Sequence, residues 1–365
     1  MARILLLDPF MTGSHQQWAE GWQTHSRHDL HILGLRGKHW KWRMRGGAIS
    51  LARKAEALDY KPDLVVATDM LDVAAFTGLM RKDWGSVPLA MYFHENQLTY
   101  PHQGEGSLPK RDLHLAFTNY TSALSADYLI FNSRFHQHNF FEALPPFLKI
   151  YPDHRELDLV EGLGQKARVW PVGLTLPDRE SFPQKPTNTV PVVLWNHRWE
   201  HDKGPEAFFE LLFSLADEGL SFQLIVLGEA YARQPAIFSE AKTRLSDRIL
   251  HWGYAADKAA YWQWLSQADV LPVTSQHDFF GISVVEAIYA GCYPILPREL
   301  VYQEHVPAAL WQEHSYQDGE DLGQKLKSYL QQPATASALL AAQVQGYDWR
   351  RLVARYDAEA EEMLR

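Results

Sequence analysis

Two short stretches of this chain carry residue types that can hold an anionic leaving group. Asn196-His197-Arg198-Trp199-Glu200-His201-Asp202-Lys203-Gly204 follows the apolar run Val192-Val193-Leu194-Trp195, which reads as a buried strand. Arg198 offers a rigid fork of donors, Lys203 a mobile point charge, and Gly204 permits a tight turn into a helix expected over 205–217. Such a cation pair suits a diphosphate. Each charge-assisted hydrogen bond contributes about 1.5 to 3 kcal/mol, and losing one transition-state donor costs about 10² to 10³ in rate. Beginning 75 positions after Lys203, Asp278-Phe279-Phe280-Gly281-Ile282-Ser283-Val284-Val285-Glu286-Ala287 sets two carboxylates eight positions apart around a glycine that opens a helix. Gly281 lets a phosphate approach the N–H groups of Gly281, Ile282 and Ser283, where the helix dipole favours anions. Glu286, about one and a half turns in, is placed to accept hydrogen bonds from a ribose. Asp278, before the turn, is expected to face sugar hydroxyls. Singly, each acid reads as well as a helix cap; the two motifs together point to a nucleotide sugar.

Weaker signals lie upstream. Gly13-Ser14-His15, after the first apolar run, is a small-residue loop that by itself is only a turn. His94-Glu95-Asn96-Gln97 places four polar residues after the run at 89–93, with His94 able to hold a hydroxyl or carbonyl near a reacting carbon. Lys38-His39-Trp40-Lys41-Trp42-Arg43-Met44-Arg45 interleaves four Lys and Arg with two tryptophans, a pattern that suits phosphates and unstacked bases of an RNA loop. The competing reading is a solvated loop whose tryptophans fold into the core. His136-Gln137-His138 lacks a plausible metal-ligand set and reads as surface.

The elements that must position these residues are legible as alternation. Apolar runs at 4–7, 30–33, 64–67, 89–93 and 128–131 are separated by helix-length segments such as 15–25 and 111–124. The pattern resumes with 192–195, 223–227, 249–252, 270–273 and 293–296 after a proline-rich stretch over 172–191 that reads as a linker. Two domains result, each a parallel sheet covered on both faces, with boundaries expected at 1–178 and 179–346. Residues 347–365 form an amphipathic helix that could pack back on the first domain. Both main motifs fall at strand-to-helix turns, outside the carboxyl ends of parallel strands, where ligands bind in such sheets; two tandem domains would face a cleft.

Composition excludes several classes. A net charge of −9 argues against a general nucleic-acid binder, though not against a local basic patch. The single cysteine, Cys292, excludes an intramolecular disulfide framework and fits a reducing compartment. The apolar N-terminal run is too short for a signal peptide or membrane span, so a soluble cytoplasmic protein is expected. Asp-x-Asp, His-Glu-x-x-His, Gly-x-Ser-x-Gly and the P-loop pattern are absent from the sequence, which leaves the main metal-anchored and hydrolase readings without support.

At these residues the chain resembles a retaining GT-B glycosyltransferase of the family 4 type, an α/β architecture of two Rossmann-like doubly wound domains. Arg198 and Lys203 match that family's phosphate-binding pair, and Asp278 to Glu286 match its two-glutamate motif at the same spacing, with the first glutamate shortened here to aspartate. The resemblance narrows to the tRNA-queuosine alpha-mannosyltransferase family. It is carried by Gly13-Ser14-His15, Lys38 to Arg45, Tyr92-Phe93-His94-Glu95-Asn96-Gln97, Phe131-Asn132-Ser133, Pro152-Asp153-His154-Arg155, Asn196 to Lys203 and Phe279-Phe280-Gly281. It implies transfer of mannose from GDP-mannose, with retention and without a metal or other cofactor, onto queuosine at the wobble position of an aspartate tRNA.

Under the resemblance Arg198, Lys203, His94, Asp278 and Glu286 are catalytic. Gly13, Ser14, Gly281, Ile282 and Ser283 join Arg198, Lys203 and Glu286 around the donor. His15, Lys38, Trp40, Lys41, Trp42, Arg43, Arg45, Glu95, Asn96 and Asn132 meet the tRNA anticodon loop. Two alternatives stay open at this point: a GT-B enzyme with another nucleotide sugar and a lipid or small-molecule acceptor, and a catalytically silent nucleotide-sugar-binding protein.

Overall fold

A computed structural model describes residues 1–100, 113–180, 182–229 and 234–365. The chain divides into two compact units, Met1–Thr175 with Tyr347–Arg365, and Leu176–Gly346. The division falls inside the proline-rich stretch, three residues before the expected boundary, and the C-terminal helix belongs to the first unit.

Unit 1 runs β1 (Arg3–Met11), α1 (Gly13–His25), β2 (Asp29–Arg36), α2 (Trp40–Glu56), β3 (Leu64–Thr68), α3 (Val73–Trp84), β4 (Leu89–Phe93), α4 (Leu113–Ser125), β5 (Tyr128–Phe131), α5 (Arg134–Leu148), α6 (Leu159–Gln165) and β6 (Ala167–Val169). The helix expected over 111–124 is thus described from Leu113, and 111 and 112 lie outside the described residues. The six strands are parallel in the order β2-β1-β3-β4-β5-β6. Leu5, Leu7, Val65, Met91, Leu129 and Phe131 put side chains into one apolar core with Phe76 and Phe140 from α3 and α5. Near-continuous apolar strands are what a sheet buried on both faces requires.

Unit 2 runs β7 (Val192–Asn196), α7 (Pro205–Asp217), β8 (Gln223–Leu227), α8 (Ile237–Arg244), β9 (Ile249–Gly253), α9 (Lys258–Gln267), β10 (Val270–Pro272), α10 (Ile282–Tyr289), β11 (Tyr293–Pro297), α11 (Trp311–His314), β12 (Ser315–Tyr316), α12 (Gly319–Gln331) and α13 (Ala338–Val344). Its six parallel strands are ordered β12-β11-β10-β7-β8-β9, so the winding reverses between β7 and β10. In unit 1 it reverses between β1 and β3. Two short strands, β6 and β12, escape the sequence reading because three and two residues carry no periodicity.

The last helix, α14 (Trp349–Glu362), is tied to α1 by buried aromatics. The Trp18 indole N–H donates to the Tyr356 hydroxyl at 3.1 Å, and that hydroxyl donates to the Pro171 carbonyl at 2.7 Å. Gly21, in the middle of α1, leaves room for the Trp349 indole, which an added Cβ would meet at 2.0 Å. A mid-helix glycine costs about 1 kcal/mol against alanine, and here it admits the ring that anchors the chain's end.

Candidate active site

In unit 2 the cation motif follows β7 and the carboxylate motif follows β10, the two strands between which the winding reverses. Neighbouring strands therefore bring together residues 75 apart in sequence. The approach is close at the backbone: Gly204 has φ +65°, and a Cβ there would lie 2.3 Å from the Thr274 carbonyl oxygen. Thr274 Oγ1 donates to the Lys203 carbonyl at 3.0 Å, and the Gln276 N–H donates to the Asp202 carbonyl at 2.9 Å.

Lys203 is buried, and its Nζ donates to the His277 carbonyl at 2.8 Å and to Asp278 Oδ1 at 3.2 Å, with Asp202 at 3.1 Å. Burial pushes the ammonium down, but Asp278 and Asp202 more than offset it and hold Lys203 above its ordinary range. Burial likewise pushes Asp278 up, yet Lys203 holds the carboxyl below its usual range, helped by the Tyr302 hydroxyl, which donates to Asp278 Oδ2 at 2.5 Å. Both Asp278 oxygens are thus engaged within unit 2. Arg198 is exposed and lies 3.1 Å from Glu200. Burial pushes His197 down to about 4, leaving a neutral ring whose Nδ1 sits 3.2 Å from Ser283 Oγ.

Gly281, at φ +74°, caps α10. Its carbonyl takes the first helical bonds, from Val284 and Val285, so the N–H groups of Ile282 and Ser283 precede that ladder. Glu286 is buried, and its carboxylate accepts from Lys258 Nζ and from the Tyr261 hydroxyl, each at 2.5 Å. Asn196 Nδ2 donates to Tyr261 Oη and to the Ser283 carbonyl, both at 2.9 Å. Asn196 at the end of β7, Tyr261 on α9 and Glu286 on α10 therefore form one chain of hydrogen bonds. Lys258, Tyr261 and Tyr302 were not legible as site residues, since each sits in an ordinary helical or turn context with no motif of its own.

Unit 1 gathers a second polar cluster where β1, β3, β4 and β5 end. Asp8, fully buried in β1, accepts the Phe10 N–H at 2.7 Å on Oδ1 and lies 2.9 Å from His15 Nδ1 through Oδ2. Burial pushes His15 down, but Asp8 outweighs it and raises the imidazole to about 9, so it is charged at neutral pH. The His15 ring stacks on His94 with centroids 4.0 Å apart and 27° between planes, and Trp18 meets His94 edge-on at 4.8 Å. Burial, then the His15 charge, push His94 well below its ordinary range, so it is neutral. Asp69, fully buried after β3, accepts the His94 N–H at 2.8 Å, and burial with the nearby Glu95 charge keeps its carboxyl well above the usual range.

The polar turn after β4 is held from within. Asn96 Oδ1 accepts the N–H groups of Leu98 and Thr99, each at 3.0 Å, and Asn132 Nδ2 donates to the His94 carbonyl at 2.9 Å. Asn96 and Asn132 are buried, while His94 and Glu95 are half-buried. Gly13 and Ser14 are exposed at the start of α1, and Gly13 takes φ +51° with open space around it. Asp8 and Asp69 went unnoticed in the sequence because a lone aspartate after an apolar run is also the commonest turn residue.

Two expectations are corrected. The competing reading of Lys38 to Arg45 as a solvated loop holds only for Lys38 and His39: His39 takes φ +55° and caps α2, whose first turns carry Trp40 to Arg45. Trp40 packs with Phe10 against Met44, Met70 and Leu115, whereas Trp42 is 65% exposed; Lys38, Lys41 and Arg45 are exposed and Arg43 is half-buried. His136 is not on the surface either: it is fully buried on α5, with Nδ1 2.9 Å from Asn132 Oδ1. The helical period brings position 136 inward while His138 points out.

Comparison with known proteins matches residues 3–174 to the family described as tRNA-queuosine alpha-mannosyltransferase N-terminal, and residues 178–339 to glycosyl transferases group 1. The tRNA-queuosine alpha-mannosyltransferase of Drosophila melanogaster is 32% identical over 339 residues, spanning 90% of this chain and 87% of its own. A GDP-mannose:cellobiosyl-diphosphopolyprenol alpha-mannosyltransferase of Xanthomonas campestris is 29% identical over 173 residues, 45% of each chain. Among solved structures, sucrose-phosphate synthase from Thermosynechococcus elongatus superposes with a TM-score of 0.70 at 14% identity, covering 100% of this chain and 99% of its own. That likeness is one of fold, and the fold is GT-B.

Proposed function

The chain belongs to the tRNA-queuosine alpha-mannosyltransferase family, and from that premise we propose that it moves mannose from GDP-mannose onto queuosine at the wobble position of an aspartate tRNA, with retention and without a metal. It is a glycosyltransferase. No described helix is long and apolar enough to cross a membrane. The observation that carries the donor half of the proposal is the buried Lys203 ammonium, 3.2 Å from Asp278 beside the Gly281 turn. A strand reversal that seats a cation next to a helix start is where a doubly wound sheet binds nucleotides.

In this reading Arg198 and Lys203 neutralise the diphosphate as the bond from the sugar C1 to the phosphate oxygen breaks. The Ile282 and Ser283 N–H groups add donors, and Glu286, oriented by Tyr261 and Lys258, takes the ribose hydroxyls. The acceptor oxygen bonds C1 on the face the phosphate leaves, and its proton passes to the departing phosphate oxygen. Asp278 acts on Lys203 as well as on the sugar. In unit 1, the neutral His94 receives a substrate hydroxyl, and α2 with its cations meets the tRNA. GDP-mannose as the donor is supported by the family and by the similarity to the GDP-mannose-dependent alpha-mannosyltransferase of Xanthomonas campestris.

Thermal stabilisation by a panel of nucleoside diphosphates and their sugars, with EDTA present, tests the donor. Selective stabilisation by GDP and GDP-mannose is expected, and a preference for a uridine donor overturns the mannosyl assignment. Transfer of labelled mannose to queuosine-containing but not queuosine-free tRNA tests the acceptor.

A further inference from the structure

Trp42 is the most exposed tryptophan of the described residues, and its position on α2 is built rather than incidental. Gly46, one turn on, has no side chain, and the Trp42 ring lies across it: a Cβ at Gly46 would sit 2.7 Å from Trp42 Cζ2. The ring therefore rests against the helix with 65% of the residue still open to solvent. Arg45, Ile49 and Arg53 are all exposed and follow Trp42 at spacings of three, four and four residues, so they share its face. Arg45 and Arg53 stand about 12 Å apart along the axis, and the first acid on that face is Glu56, the last residue of the helix.

The opposite, buried face of α2 packs on the end of β1, which carries Asp8 of the polar cluster of unit 1. Gly47 packs so closely on Pro9, next to Asp8, that a Cβ there would meet the proline ring at 2.7 Å, and Trp40 and Met44 pack with Phe10 and Met70. A basic face on a chain of net charge −9 is a local feature, complementary to a polyanion. An indole that rests on Gly46 and is 65% open to solvent suits an unstacked base, since every base offers a π-face.

We propose that this exposed face of α2 is a ledge for single-stranded RNA, on which Trp42, seated over Gly46, stacks one base while Arg45 and Arg53 contact phosphates. The inference rests on the tRNA acceptor proposed above and extends the contact along α2 beyond Arg45.

Fluorescence anisotropy of the full chain with a labelled, queuosine-bearing anticodon stem-loop, over a series of salt concentrations, tests it. Trp42→Ala is expected to weaken binding about ten- to a hundredfold and Trp42→Phe much less. Gly46→Ala, which suits a helix but lifts the ring, is expected to behave like Trp42→Ala. Arg53→Gln is expected to lower the salt slope by about 0.7. Wild-type binding that Trp42→Ala leaves unchanged overturns the ledge and spares the tRNA reading. Absence of any salt-sensitive binding by the wild type overturns the tRNA reading itself, and the ledge with it.

Discussion

The His15 imidazole lies face to face with that of His94, ring centroids 4.0 Å apart, while its Nδ1 sits 2.9 Å from the fully buried Asp8 carboxylate. One ring is thereby charged and the other neutral. Asp8 holds a proton on His15, and the resulting imidazolium, together with burial, keeps His94 free to accept a hydrogen bond rather than to carry a charge. The fixed charge also has a consequence for stability.

His15 is raised to about 9 in the folded chain, against about 6.5 when unfolded. A raised histidine contributes stability that is full below about pH 6.5 and is lost as pH rises through about 9, an effect of about 3 kcal/mol at most. Urea midpoints between pH 6 and 10 should show this decline in the wild type, and Asp8→Asn should flatten it. An identical pH slope in the two proteins would mean that Asp8 does not hold the proton.

Lys203 and Asp278 form a buried pair, so removing one partner strands the other. Asp278→Asn is expected to destabilise the chain by about 3 kcal/mol and to raise the concentration of GDP needed for thermal stabilisation. Asp278 is held below its ordinary range, so its contribution is present above about pH 4 and lost as pH falls through the lower folded value. Lys203→Met keeps most of the volume but strands Asp278 and Asp202 at a similar cost of about 3 kcal/mol; the folded variant should lose the GDP response. A Lys203→Met protein stabilised by GDP as the wild type is would remove Lys203 from the donor site.

Tyr261 donates to Glu286 and accepts from Asn196. Tyr261→Phe deletes a bond to a buried charge, worth about 1.5 to 3 kcal/mol. If Glu286 binds ribose, the loss should appear as a donor KM raised about tenfold with a smaller change in kcat. Steady-state kinetics with varied donor separates this from simple destabilisation, in which both parameters would follow the folded fraction.

Two glycines with left-handed backbones should differ sharply. At Gly13, φ +51° with open space around it, alanine meets only the conformational cost of about 1 to 2 kcal/mol. At Gly204, φ +65°, the added Cβ would also lie 2.3 Å from the Thr274 carbonyl and must push the two strand ends apart. Gly204→Ala is expected to cost about 3 kcal/mol or more and to weaken GDP binding. Equal denaturant midpoints for the two variants would show that the Thr274 contact is soft.

Much of this protein is local, and what is local was legible. The strands at 64–68, 89–93, 128–131, 192–196 and 223–227 are apolar throughout except for a single terminal polar residue at Thr68, Asn196 and Gln223, because a sheet covered on both faces needs no polar alternation. The helix over 205–217 follows from Gly204 and Pro205 ahead of an apolar face. Arg198, Lys203, Asp278 and Glu286 stood out because each motif occupies one strand-to-helix turn, within ten residues of chain.

Tertiary structure decided which turns meet. That Lys203 bonds Asp278, that Asp8 charges His15 beside His94, and that Tyr261 orients Glu286 depend on strand order and on which helices flank a strand end, and no local spacing encodes either. It also decided the state of α2. Cations and tryptophans at 38–45 fit a loop or a helix equally well by composition; Trp40 and Met44 packing with Met70 and Leu115 select the helix and leave Trp42 outside. Burial, likewise, is a property of the assembled unit: it keeps His94 a neutral acceptor, while at His15 the buried Asp8 carboxylate outweighs it and makes that ring a cation.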